Sequence, residues 1–300
     1  MTQGKNSPDF LLFAQHGWAD AGNDIGRLAQ ALATPQTLIS APSLGIIKTF
    51  ISIKPLVKQV EKVTAEAIHN HPQTPLKVMG HSMGGLIWLE VLNRNPQWWD
   101  KVHSLVLIGS PVGGSDLARL IDPLSLGIGT ARDLGKNRRS IAEKIAQQIP
   151  TLSIASDLNF GSDGLVTVEN TKFDYANFIL ISRMRHAAMK CHPDIVPIIQ
   201  EFWLNPQIGL SPTEDLATKL IKRLQSVPGM TDASYRDFKR SRIAAKLPAG
   251  ISIRTWSNPF GVNHVFVADG EEKCLYAGYV GLMHTSDLRK AIQEICSDTV

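Results

Sequence analysis

Short apolar runs alternate with helix-length amphipathic segments along the first two-thirds of this chain, and that alternation constrains the fold more than any other feature. A buried strand is predicted over residues 10–15, followed by a loop at 16–22. A helix capped by Asn23 or Asp24 then places Ile25, Leu28, Ala29 and Leu32 on one face. Further strands fit residues 37–41, 76–79, 103–108, 151–155 and 178–182. Helices fit 54–70, 85–93 and 194–203 between and after them. Alternation of this kind builds a mostly parallel sheet flanked by helices, so the predicted fold class is α/β.

Residues 1–204 are expected to form that unit, with an insertion of mixed character at 112–148. An apolar stretch at 117–128 precedes a charged helical stretch at 131–149, which makes the insertion a candidate lid. Asn205-Pro206 and Ser211-Pro212 punctuate a linker at 205–212. Beyond it, helical patterns at 213–225 and 234–245, a strand at 251–256, a hairpin of 264–268 with 273–279 and a last helix at 286–295 predict a small C-terminal α+β domain over 213–300.

Composition excludes more than it assigns. Hydrophobic residues make up 43% and charged residues 19% of 300, against disorder. The three cysteines, Cys191, Cys274 and Cys296, are odd in number and widely spaced, which suits a reducing, cytoplasmic compartment better than a disulfide framework. No apolar run is long enough for a membrane span or a signal core. The histidines form no metal-ligand pattern with carboxylates, and no G-x-G-x-x-G opens a helix after the first strand. Neither a metal nor a nucleotide cofactor is expected.

Chemistry enters with Gly80-His81-Ser82-Met83-Gly84, a G-x-S-x-G turn between a predicted strand and a predicted helix. Such a turn strains the serine backbone, and Gly80 and Gly84 leave room for it. A serine hydroxyl needs a base, and the base needs an orienting acid. Asp163, in Gly161-Ser162-Asp163-Gly164-Leu165-Val166, follows one strand and His186 follows the next, giving the chain order Ser, Asp, His. Asp157 is the rival acid, closer to its strand end, and His192 the rival base, although His192-Pro193 better suits a helix start. Donors for a developing oxyanion would be the backbone N–H groups of Met83 and of Trp18, after His16-Gly17. Gly17 admits close approach, and His16 is read as a buried brace of that loop.

The His-Gly loop, Gly-His-Ser-Met-Gly-Gly, Ser-Asp-Gly-Leu-Val and the late histidine resemble the lipase and esterase branch of the α/β-hydrolase superfamily over residues 10–204. Gly109-Ser110-Pro111-Val112-Gly113-Gly114-Ser115 resembles the segment after the following strand in many lipases, with Val112 where those often carry histidine. Few residues precede the first strand, so the resemblance is to a minimal version. It implies a serine hydrolase cleaving carboxylic esters, on small-molecule or lipid substrates. Thioesterases, amidases and acyltransferases use the same triad, and a non-catalytic binder that kept the pocket would usually show a broken one. The apolar residues of the insertion predict a preference for medium or long acyl chains.

In the tail, Arg236, Lys239, Arg240, Arg242 and Lys246 with Tyr235 and Phe238 read first as a solvated helix face and second as weak contact with a membrane surface. No nucleic-acid motif accompanies them, and the net charge is a mild +4. The sequence leaves oligomeric state open.

Overall fold

The computed structural model describes residues 7–18, 20, 22–45, 52–114, 133, 135–211 and 214–298. Six strands form one parallel sheet: β1 (Leu11–Gln15), β2 (Leu38–Ser40), β3 (Leu76–His81), β4 (Val102–Ile108), β5 (Thr151–Asp157) and β6 (Ala176–Ser182), in the order β2-β1-β3-β4-β5-β6. The sheet is parallel because each connection between neighbours is long enough to hold a crossover helix. Those helices are α1 (Asn23–Leu32), α2 (Ile53–Asn70), α3 (Met83–Arg94) and α4 (Arg139–Ala146), with α5 (Ile195–Leu204) after the last strand. This is the predicted α/β class.

Successive side chains of a strand point to opposite faces, and the two cores divide accordingly. Leu11, Phe13, Val78, Leu105 and Leu107 pack with α2, α3 and α4 through Leu56, Val57, Val60, Leu86, Ala142 and Ile145. Leu12, Ala14, Met79, Val106, Ile108 and Ile154 pack with α1 and α5 through Ile25, Leu28, Leu32, Ile195 and Ile199. Each such fully buried side chain contributes about 1.5–3 kcal/mol of apolar transfer. The stretch predicted as a candidate lid has its core, residues 115–132, outside the described residues. Its far end is anchored: Asp133 accepts hydrogen bonds from the Ser52 hydroxyl and the Ile53 N–H at the start of α2, and Arg138 pairs with Glu90 at 2.9 Å.

The C-terminal segment carries a second sheet, antiparallel, of order β7-β11-β10-β9-β8. Its strands are β7 (Thr231–Asp232), β8 (Arg242–Lys246), β9 (Ser252–Ser257), β10 (Asn263–Ala268) and β11 (Cys274–Val280). Helices α6 (Leu216–Gln225) and α7 (Thr285–Asp298) contribute Leu220, Leu224, Leu288 and Ile295 to a core with Ile253, Val265, Val267 and Tyr276. One expectation fails here. The helix predicted over 234–245 is a 3-10 turn, Tyr235–Arg240, followed by the edge strand β8. Pairing of Arg242 with Thr255 and of Lys246 with Ser252 outweighs the helix propensity of an Arg-, Ala- and Lys-rich stretch.

The two sheets are joined through a buried charged knot. The Arg139 guanidinium on α4 donates to the Asp232 carboxylate on β7 and, at 2.8 Å, to the Glu169 carbonyl. The Tyr276 hydroxyl donates to the other Asp232 oxygen at 2.9 Å. Burial works against the guanidinium charge, but Asp232 beside it more than offsets this and raises its pKa. Burial, with the Asp232 charge behind it, holds Tyr276 well above the usual phenol range. Within the predicted linker, the Gly209 N–H donates to the Tyr175 carbonyl just before β6 at 2.9 Å.

Candidate active site

Between β1 and β3 the strand order reverses direction, because the chain passes from β1 outward to β2 and then returns to β3 on the other side. Crevices at the carboxyl ends of such strands are where open α/β sheets bind ligands. Ser82 stands at the carboxyl end of β3, and its neighbour His81 reaches the turn after β6, where its ring lies 4.7 Å from that of His186.

Ser82 sits where β3 ends and α3 begins, buried, with φ 55° and ψ −125°. A non-glycine residue at positive φ costs free energy and persists only where its surroundings enforce it. Here they do. A Cβ on Gly80 would lie 2.4 Å from the Gly85 nitrogen, one on Gly84 would lie 2.2 Å from the Gln15 carbonyl, and one on Gly85 would strike the Ser110 hydroxyl at 2.1 Å. The turn and the first strand are therefore packed backbone to backbone, the helix start lies against the Ser110 side chain after β4, and the Ser82 N–H donates to the Ile108 carbonyl at 2.9 Å. The helix begins two residues earlier than the sequence predicts because Ser82 itself takes the cap position. Met83 becomes its first residue, and first-turn N–H groups have no acceptor within their own helix.

Asp163 and His186 come together across the ends of β5 and β6. His186 Nδ1 lies 2.7 Å from Asp163 Oδ2, with both side chains buried. The other carboxylate oxygen accepts from the N–H groups of Leu165 at 2.9 Å and Val166 at 2.7 Å, and the His186 N–H donates to the Asp163 carbonyl at 3.1 Å. Both oxygens of this acid are thus engaged, one by two backbone N–H groups and the other by the imidazole. Since a carboxylate only accepts, the imidazole proton belongs on Nδ1, leaving Nε2 as an acceptor. That nitrogen is buried and has no hydrogen-bond partner among the described residues. Asp157, the rival, instead accepts from the Gly161 N–H at 3.0 Å and closes its own loop. His192 is partly exposed and lies near Asp194 at the start of α5.

Two further histidines set the walls. His16 Nε2 accepts from the Leu44 N–H at 2.9 Å, which puts its proton on Nδ1, 3.0 Å from the Gly17 carbonyl. Burial holds its pKa below the ordinary value, so the ring is a neutral brace between the loops after β1 and β2. Gly17 faces the nucleophile turn so closely that a Cβ there would be 2.9 Å from the Ser82 Cβ. Trp18, next along, packs its ring against the core around Phe13 and Trp88.

His81 was read in the sequence only as the variable position of the turn. It is buried, and its ring lies 4.7 Å from the His186 ring, with Nε2 3.0 Å from the His186 carbonyl. Burial, and then the neighbouring His186, depress its pKa well below the ordinary range. It is thus neutral and donates from Nε2, and no sequence signal distinguishes this role from that of any other residue at the position. Lys190, held by Asp20 and Asp24 at 3.0 Å each, ties the turn after His186 to the start of α1.

Among solved structures, the chain is similar to the Bacillus licheniformis lipase BlEst2 in its propeptide form, with a TM-score of 0.54 and 14% identity over 91% of this chain and 71% of that one. It is also similar to Est1E of Butyrivibrio proteoclasticus, solved with ferulic acid, with a TM-score of 0.50 and 16% identity over 67% and 92%. At these identities the likeness is one of fold. A comparison with curated proteins finds no matching sequence. The model of the family described as serine aminopeptidase, S33, matches residues 6–180, more than half of the chain. The protein is therefore a member of the serine aminopeptidase S33 family and carries the α/β-hydrolase fold.

Proposed function

We propose that the protein is a serine hydrolase of carboxylic esters, with Ser82 as nucleophile, His186 as base and Asp163 as orienting acid. The observation that carries this reading is the buried Nε2 of His186, which has no hydrogen-bond partner among the described residues and whose opposite nitrogen is held at 2.7 Å by an acid that two backbone N–H groups fix in place. A base so fixed can only accept a proton on the side away from Asp163.

The chemistry follows from those atoms. The Ser82 hydroxyl oxygen attacks the ester carbonyl carbon as its proton passes to His186 Nε2, and the carbonyl electron pair moves onto oxygen. The N–H groups of Met83 and Trp18 are the donors assigned to that oxyanion; the first sits at a helix N-terminus, where the partial positive charge favours it. Collapse expels the alkoxide, which takes the proton from Nε2, and leaves an acyl-serine. Water, deprotonated by the same nitrogen, then releases the acid and restores Ser82.

The description of the family favours a second reading, cleavage of an N-terminal peptide bond. That reaction needs a carboxylate for the substrate ammonium. Among the described residues near the site, Asp163 is engaged by His186 and two backbone N–H groups and Asp20 by Lys190, which supports the ester over the peptide. The substrates in view are small-molecule or lipid esters. The test is a panel of p-nitrophenyl esters from acetyl to palmitoyl, with glycerolipids, thioesters and aminoacyl p-nitroanilides. Medium or long acyl esters should be cleaved best; preference for the aminoacyl anilides would replace the ester reading with the peptidase one.

A further inference from the structure

The end of the C-terminal sheet at which β9 turns into β10 exposes apolar side chains that the hydrolase reading does not use. Phe260 at the tip of that turn is 84% exposed, and Leu282 and Met283, just after β11, are 68% and 89% exposed. The two segments touch: a Cβ on Gly261 would lie 2.9 Å from a Leu282 methyl, and Asn263 Nδ2 donates to the Thr285 hydroxyl at 2.9 Å. Three large apolar side chains thus share one protruding end.

The backbone beneath them is closed on itself. Asn258 Oδ1 accepts from the Phe260 N–H at 2.9 Å and the Val262 N–H at 3.0 Å. The Gly261 N–H donates to the Asn258 carbonyl at 2.9 Å, and the Asn258 N–H to the Val262 carbonyl at 3.0 Å. Pro259 has no N–H to satisfy. Because the turn meets its own N–H donors, none of them is stranded when the tip enters an apolar medium, where an unsatisfied donor is costly.

Cations flank the tip on its β8 side. Arg242 opens β8 opposite Thr255, near the tip end of β9, and the Arg240 guanidinium lies 5.8 Å from the centre of the Trp256 ring. Arg236 and Lys239 are exposed on the same short 3-10 turn. Both carboxylates in the neighbourhood are committed, Asp237 to Arg240 at 3.1 Å and Asp287 to His284 at 2.9 Å. Protruding apolar side chains flanked by cations match an anionic lipid surface: the former enter the acyl boundary and the latter meet headgroup phosphates.

The geometry points to docking of the protein on an anionic lipid bilayer through Phe260, Leu282 and Met283, with Lys239, Arg240 and Arg242 facing the headgroups. The 3-10 turn connects this end to the candidate active site, since Tyr235 N–H donates to the Phe160 carbonyl at 3.3 Å and the two rings meet edge to face beside the Asp163 loop. Delivery of a lipid ester along that path rests on the ester-hydrolase reading; the docking itself does not.

Sedimentation with vesicles tests it, using the full chain carrying Ser82→Ala so that no lipid is consumed. The chain should pellet with phosphatidylcholine vesicles containing phosphatidylglycerol and much less with phosphatidylcholine alone. Each of F260S, L282S and M283S should weaken binding about tenfold, from the apolar area each inserts. K239Q and R242Q should weaken it about fivefold each, and only on anionic vesicles. In the Ser82-bearing chain these five substitutions should leave turnover of a soluble p-nitrophenyl ester unchanged, which confirms folding. Unchanged vesicle binding by F260S/L282S/M283S, or equal binding of the parent to neutral and anionic vesicles, overturns the proposal. So does a parent that ignores vesicles yet self-associates through these residues, because the surface would then belong to a second copy of the chain. None of these outcomes depends on Ser82 being the nucleophile.

Discussion

Replacing Asp163 by Asn changes one atom of the carboxylate and reverses the logic of the base. Asn can still accept from the Leu165 and Val166 N–H groups through its oxygen, so the loop keeps its two short bonds at 2.9 and 2.7 Å. The amide nitrogen then occupies the position 2.7 Å from His186 Nδ1, where donor would meet donor. The imidazole escapes by moving its proton to Nε2, and a protonated Nε2 cannot take the Ser82 proton. Loss of the correct tautomer in a serine triad lowers turnover about 10⁴-fold, or about 5 kcal/mol in the barrier. Asp157→Asn is the matched control, because its carboxylate serves only the Gly161 N–H and an Asn oxygen accepts that bond equally well. The assay is kcat on a soluble p-nitrophenyl ester, with circular dichroism to show that both variants fold. A folded D163N that loses less than about tenfold, or a D157N that loses as much, would refute the reasoning.

The neutral His16 brace predicts a stability that depends on pH. Its folded-state pKa lies below the ordinary value, so its contribution is complete above about 6.5 and is lost as pH falls through the lowered folded value. Thermal midpoints of wild type should fall more steeply on acidification than those of H16Q, and parallel curves would remove the brace. Breaking the buried pair by Arg139→Met should cost about 3–5 kcal/mol, because Asp232 is left charged and buried. R139M/D232L should recover much of that loss, as a double-mutant cycle in urea would show. For His81, H81F removes the bond to the His186 carbonyl but keeps a ring. It should lower kcat about tenfold or more with KM little changed, since misplacing a base acts on the transition state. An unchanged kcat would leave His81 as packing alone.

The parallel sheet was legible because β1, β3, β4 and β5 are buried on nearly every residue and are rich in apolar side chains, continuous over residues 11–14 and 105–108, with turn residues beyond their ends. The Asp163–His186 pair was within reach for a related reason: each residue follows a strand, and strand order restricts which loops can meet. What escaped was everything fixed by long-range contact. Arg242 to Lys246 has a helix-forming composition, and only its position beside β9 makes it a strand. Nothing in the sequence marks Asp232, which is buried beneath Arg139, a residue 93 positions away. The Asn258 turn likewise shows no pattern until both strands flanking it are paired.

The central claim is that Ser82 is the nucleophile, and covalent capture tests it most directly. A fluorophosphonate reacts with an activated serine and releases fluoride, leaving a phosphonylated side chain. Intact-mass analysis followed by peptide mapping should find one adduct per chain, on Ser82, with none formed by S82A and labelling at least a hundredfold slower in D163N. An adduct on another serine, or none on folded wild-type protein, would contradict the account.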